Sequence, residues 1–230
     1  NNLIVPPDQT ICSGSAPIQI TGTTPLNGKG AGTYTFTWQD STKNHSWTDI
    51  SGHISVTDQN FVPPVLTDTT RYRRIAYSSA CSNIGKSVTI RVHKPISNNT
   101  ISLLAGGLAD TTLCSGAIPH RITGVPATGG TNVPGSYTYQ WSSSPDNYSW
   151  TDISASTGIK YQPPLLTTTT WFRRRAVSGQ CSAESGAVKI TVLPVITNNT
   201  ISGNQIVCKS DTPGLLAQAS GPALSGGSGT

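Results

Sequence analysis

A chain that restates itself about every hundred residues has to fold as a series of similar modules. NNTIS stands at residues 98–102 and again at 198–202, and the chain opens with NNLIV. TICSGSAPIQITG (10–22) returns as TLCSGAIPHRITG (112–124), and SWTDIS (46–51) returns unchanged at 149–154. PPVLTDTTRYRRIA (63–76) becomes PPLLTTTTWFRRRA (163–176), and CSNIGKSVTIRV (81–92) becomes CSAESGAVKITV (181–192). The order never changes. Two full modules are expected at 1–97 and 98–197, with a third that opens at 198 and breaks off at 230, as in a piece of a longer array. About 33 residues cannot bury a core alone. If ordered, they must lean on the second module or on another molecule, which would favour shifted boundaries and disulfides between copies.

Within a module the apolar pattern has period two. In YTFTWQ, Tyr34, Phe36 and Trp38 share one face and Thr35, Thr37 and Gln39 the other; Tyr137, Tyr139 and Trp141 repeat this parity, as do Val88, Ile90 and Val92, and Val188, Ile190 and Val192. About seven short strands punctuated by turn residues are expected in each copy. The fold class is therefore all-β, with tandem immunoglobulin-like β-sandwiches forming an elongated, semi-rigid rod, and with Trp38 and Trp141 in the cores. Tyr72 and Phe172 occupy the matching inward place on the sixth strand, so no hydroxyl-dependent tyrosine corner can serve both copies.

Charged residues make up 11% of the chain and methionine is absent, which suits strands and loops better than helices. No apolar run is long enough to span a bilayer, and no signal peptide opens this sequence; a longer parent could carry both. The five cysteines are Cys12, Cys81, Cys114, Cys181 and Cys208. None has the spacing of a zinc site. Bonds within each copy, Cys12 with Cys81 and Cys114 with Cys181, are the preferred pairing, leaving Cys208 unpaired. The rival joins Cys81 to Cys114 and Cys181 to Cys208. Either pairing implies an oxidising exterior.

Alternation on the sixth strand sends Arg73 and Arg173 outward and Arg74 and Arg174 inward, where Trp47 or Trp150 could supply a cation–π partner. The net charge of +5 and pI near 9.0 permit a basic stripe for acidic polysaccharide, but no nucleic-acid motif accompanies it. Candidate surface contacts are Arg73, Arg173, Trp171 and the loop tips at Asn44 and Asn147. Asp49 and Asp152 recur without an Asp-rich loop, so turn capping is expected and no metal. His45, His53, His93 and His120 have no histidine counterparts in the other copy, and paired carboxylates are lacking. No catalytic residue, enzyme activity or cofactor is expected.

TICSG…ITG, YTYQW, SWTDIS, PPLLTTTTWFRRRAVSGQCS and VKITVLPVITNNTISG together resemble the repeats of very large cell-surface adhesins of Bacteroidota exported by the type IX secretion system, above all gliding-motility adhesins of the SprB kind. The resemblance covers both full copies and the fragment. It implies a filament attached at the outer membrane or secreted, weak multivalent contact with polysaccharide or an abiotic surface, and contact with neighbouring repeats. Gliding and secretion machinery would be met through regions outside these residues, and nucleic acid would not be a partner. Structural spacer modules, with the binding or enzymatic domain elsewhere, are the alternative. Ser41, Thr69 and Thr111, in DST and two DTT triplets, look like the O-glycosylation acceptors of such bacteria.

Overall fold

The computed structural model describes residues 2–28, 34–43, 46–103, 110–131, 133, 136–219 and 221–227, and these contain strands, turns and bends but no helix. The chain divides into two compact units. Unit 1 comprises Asn1–Asn99, Pro126–Thr138 and Ala176–Ala183; unit 2 comprises Thr100–Val125, Tyr139–Arg175 and Glu184–Thr230. Three segments of the second sequence copy, residues 98–99, Pro126–Thr138 and Ala176–Ala183, thus belong to unit 1.

The first copy forms β1 (Ile4–Val5), β2 (Gln9–Cys12), β3 (Thr21–Gly22), β4 (Thr35–Thr42), β5 (Thr48–Ser55), β6 (Thr70–Ser78), β7 (Cys81–Ile84) and β8 (Val88–Ser97). One layer holds the antiparallel β1–β3 pair, and Ile20 and Phe61 exchange two 2.8 Å backbone hydrogen bonds alongside it. The other layer runs β8, β6, β4, β5, with β2 added parallel to β8. A last strand flanked on one side by a parallel opening strand and on the other by an antiparallel sixth strand is the topology of an immunoglobulin-like sandwich. β4 belongs here because its inward side chains are the aromatic row read from the sequence: Tyr34, Phe36 and Trp38 are 7%, 3% and 0% exposed. Trp38 stacks on Phe61 at 5.3 Å, and Phe61 tilts onto Tyr72 at 5.2 Å, so three rings tie the layers together. The indole N–H, which could not be left unpaired in this core, donates to Asp58 O at 2.8 Å.

The second copy repeats the scheme with β9 (Ile101–Ser102), β10 (Asp110–Cys114), β11 (Thr123–Gly124), β12 (Thr128–Gly130), β13 (Thr138–Ser144), β14 (Thr151–Asp152), β15 (Thr170–Ser178), β16 (Cys181–Glu184) and β17 (Val188–Leu193). Its main sheet is ordered β10, β17, β15, β13, β14, with β10 parallel to β17. Trp141, Tyr161 and Phe172 rebuild the aromatic bridge, with ring separations of 5.5 and 5.7 Å. The chain is therefore all-β, built of tandem immunoglobulin-like sandwiches. Beyond them, β18 (Ile201–Ser202) pairs antiparallel with β19 (Ala217–Gln218), as β1 pairs with β3. Ile201 and Leu216, which stand where the first copy has buried Ile4 and Ile20, are 71% and 62% exposed.

Candidate functional site

The two inward arginines lie deepest. Arg74 and Arg174 are both 0% exposed, and among the described residues Arg74 has no ion pair. The Arg74 guanidinium is instead satisfied by neutral oxygens: it donates to Asn2 Oδ1 at 2.9 and 2.6 Å, to Gln59 O at 2.8 Å and to Thr23 O at 2.6 Å. Asn2 in turn donates through Nδ2 to Arg74 O and Asn83 O. Arg174 donates to Ile159 O at 2.8 Å and Val125 O at 2.7 Å. Burial pulls both arginines below their ordinary value, Arg74 to about 10, which leaves it charged at neutral pH.

The ITG motif owes its glycine to this arrangement. A Cβ on Gly22 would lie 1.7 Å from Arg74 Nη1, and one on Gly124 would lie 1.9 Å from Arg174 Nη1. The cation–π partners also differ from the sequence-based expectation. Arg74 lies over Phe36 at 4.4 Å and Arg174 over Tyr139 at 4.3 Å, because these rings share the inward face of β4 and β13. Trp47 and Trp150 lie on the outer face, where they receive Arg73 at 4.2 Å and Arg173 at 4.3 Å.

Those outward arginines are half-buried. Arg73 donates to Gln39 Oε1 at 2.7 Å, and Gln39 donates to Asp49 Oδ1 at 2.7 Å; Arg173 lies 3.6 Å from Glu184. Asp152 accepts from Ser142 Oγ at 2.7 Å. Trp171 is half-buried beside Lys189, whose Nζ is 5.2 Å from its ring. Asn147 is exposed at a left-handed turn position (φ +64°), whereas Asn44 lies outside the described residues. Of the proposed glycan acceptors, Ser41 is only 7% exposed on β4. Thr69 is exposed and its Oγ1 accepts from Val92 N at 3.0 Å; Thr111 is half-buried on β10.

Sequence reasoning passed over a shallow groove lined by Ser41, Lys43, Thr69, Arg71, Thr89 and Arg91. Lys43 pairs with Asp68 and Arg91 with Asp8, both at 3.2 Å and largely exposed, while Arg71 has no ion pair among the described residues. The second copy sets Trp171, Lys189 and Thr191 where the first has Arg71, Thr89 and Arg91, so this face changes chemistry between copies. The signal lay in adjacent strands: Arg71 is in register with Thr89, and only this pairing brings Arg91 near.

The turn at 144–149 is organised by one carboxylate. Asp146 accepts from Ser149 N at 2.7 Å, Tyr148 N at 2.8 Å and Ser144 Oγ at 2.9 Å. These bonds, the Ser149 amide foremost, hold its carboxyl well below the usual carboxylate range. A depressed folded pKa contributes stability that is present above the unfolded value of 3.8 and is lost as pH falls through the folded pKa. The Tyr148 and Ser149 amides are therefore expected to lose protection selectively as pH falls below about 3.8, as read by NMR. In Asp146→Asn they are expected to show no such dependence.

The cysteines correct both pairings read from the sequence. The disulfide joins Cys12 to Cys181, 169 residues apart, while Cys81, Cys114 and Cys208 are free and exposed. Strand geometry gives the reason. Cys12 is opposite His93, three residues past the Ile90–Thr70 rung, whereas Cys81 is opposite Ser78 at the far end of β6. At about 3.3 Å per residue they stand roughly 35 Å apart, far beyond the ~7 Å limit for a bridge. Cys114 cannot join Cys181, whose sulfur is already bonded to Cys12. The bond is the chemistry of an oxidising compartment. Among the described residues no three His, Cys, Asp or Glu side chains group as metal ligands would.

A family model described as a domain of unknown function (DUF8696) matches residues 1–94 and again residues 105–194. No curated protein matches the chain. Among solved structures, the chain is similar to a C-terminal 282-residue fragment of intimin in complex with the intimin-binding domain of its translocated receptor. The identity is 14% and the TM-score 0.44, covering 87% of this chain and 67% of that one. Murine CEACAM1b gives 13% and 0.36 over 83% and 98%, and titin domains A168–A170 give 16% and 0.43 over 80% and 62%.

Proposed function

The chain belongs to the family of the domain of unknown function DUF8696, and we propose that it is a repeat segment of a large bacterial cell-surface adhesin, supporting attachment to acidic polysaccharide during gliding. The observation that carries this reading is the basic groove of the first copy. Lys43, Arg71 and Arg91 converge on one open sheet face, and two of them are held only by exposed ion pairs that a polyanion can replace. Such a site is weak singly and gains grip when copies act together. The resemblance to type IX-secreted adhesins supports a place at the outer membrane or in secreted form.

A purely structural spacer is the second reading. It is favoured by what the copies share: the buried arginines, the aromatic bridge and the strand order face inward, whereas Arg71 gives way to Trp171. Retention on acidic and neutral polysaccharides across a salt series separates the two readings, beside a non-adhesive sandwich of matched charge. Retention on the acidic matrix beyond the control is expected, falling about two- to fivefold in Arg71→Ser. No excess over the control would leave the spacer reading.

A further inference from the structure

Cys114 and Cys81 are the two halves of the joint that Cys12 and Cys181 close. Cys114 ends β10 as Cys12 ends β2. Ser13 N donates to His93 O at 2.9 Å, and Ser115 N to Leu193 O at 2.9 Å; Gly14 N donates to Leu66 O at 2.8 Å, and Gly116 N to Leu166 O at 2.9 Å. Gly14 and Gly116 have φ of +84° and +85°. Cys81, for its part, opens β7 where Cys181 opens β16. Both free thiols therefore sit on backbone already shaped like that of the bonded pair.

A second, independent set of contacts recurs with them. Within unit 1, β12 lies against the end of β8: Ser97 Oγ meets Thr128 Oγ1 at 2.8 Å, Asn98 Nδ2 donates to Pro126 O at 3.3 Å, and a Cβ on Gly129 would lie 2.0 Å from Pro95 O. In the same unit, the Cys181 sulfur is 3.6 Å from Lys94 O. Within unit 2 the opening of the third copy makes the same contacts. Thr197 Oγ1 meets Ser225 Oγ at 2.7 Å, Asn198 Nδ2 donates to Ala223 O at 3.1 Å, and a Cβ on Gly226 would lie 2.0 Å from Val195 O. Asn98 and Asn198 take φ of +57° and +61° to make the turn. The docking that accompanies the bonded cysteines is thus begun a second time, beside Cys114.

We propose that the bond recurs along the array: Cys114 joins the counterpart of Cys181 in the following copy, and Cys81 joins the counterpart of Cys12 in the preceding one. Each bond forms as two thiols lose two protons and two electrons to a disulfide oxidant, such as oxidised glutathione, which leaves as two thiols. The bonds overlap, because each opens one copy before the last has closed. This inference does not depend on the adhesion reading.

The test takes two chains through glutathione redox buffer, alkylation and non-reducing peptide mapping. In the 230-residue chain, Cys12→Ser is expected to leave Cys114 and Cys181 both alkylated; a Cys114–Cys181 bond would overturn the proposal. In a chain whose residues after 197 are replaced by another copy of 98–197, nearly all Cys114 is expected to be bonded to the appended copy's counterpart of Cys181, with Cys12–Cys181 retained and Cys81 alkylated. A free Cys114, a Cys81–Cys114 bond, or loss of Cys12–Cys181 would each overturn it.

Discussion

Stretched from its two ends, the oxidised chain is expected to yield about 550–600 Å less contour than the reduced one. The Cys12–Cys181 bond spans 169 residues, each worth roughly 3.3–3.6 Å when fully extended. Tension entering at Cys12 crosses the bond to Cys181, so the core strands between them, including β4, β6 and β8, bear none of it. Cys12→Ser should reproduce the reduced trace without reductant. Single-molecule extension gives the answer directly: equal contour lengths with and without reductant would mean that the bond does not close in the folded chain. The same loop carries a large stability term. Closing 169 residues removes unfolded-state entropy worth about 5 kcal/mol in the chain-entropy model, so reduction should also lower the thermal midpoint.

Such a bond was hard to read from the sequence, and the reason is physical. Position along the chain shows that each cysteine sits near a strand end, but not which end of the sandwich faces which. The expectation of a bond inside each copy treated nearness in the repeat as nearness in space, and the length of β6 defeats it. By contrast, the period-two rows of YTFTW and VTIRV were legible because burial of alternate residues is a local property of a strand. The inward turn of Arg74 and Arg174 was legible on the same ground. Their ring partners were not: Trp47 precedes β5, and its face depends on a loop whose path no periodicity encodes. The repeated Asn-Asn pair reads as a turn signal. Only the structure shows the division of labour, in which Asn98 and Asn198 take the left-handed turn while Asn2 reaches the buried guanidinium. The basic groove escaped notice because its members come from three separate stretches of chain.

Replacing Arg74 is expected to destabilise unit 1 more than any exposed charge change, by about 3–5 kcal/mol. A buried ion pair can be exchanged for apolar residues at little cost when both partners are exchanged. Here that is not possible, because two of the acceptors are the backbone carbonyls of Gln59 and Thr23. Arg74→Met fills the space and still strands them, along with Asn2 Oδ1. Arg74→Lys keeps the charge but loses the fork that reaches three acceptors from one plane. Gly22→Ala should act on the same group from outside, costing about 1–3 kcal/mol by overpacking as its Cβ displaces Nη1. The two changes must then be non-additive. In an Arg74→Met background, Gly22→Ala should cost less, the remainder coming from the Gln59 carbonyl 2.5 Å from the new Cβ. Exposed Arg71→Ala, three residues earlier on β6, should move stability by no more than about 0.5 kcal/mol. Denaturant melts of the four variants and the double mutant decide it. Arg74→Met with unchanged stability, or strict additivity with Gly22→Ala, would mean that the guanidinium is carried by the fold without helping to hold it.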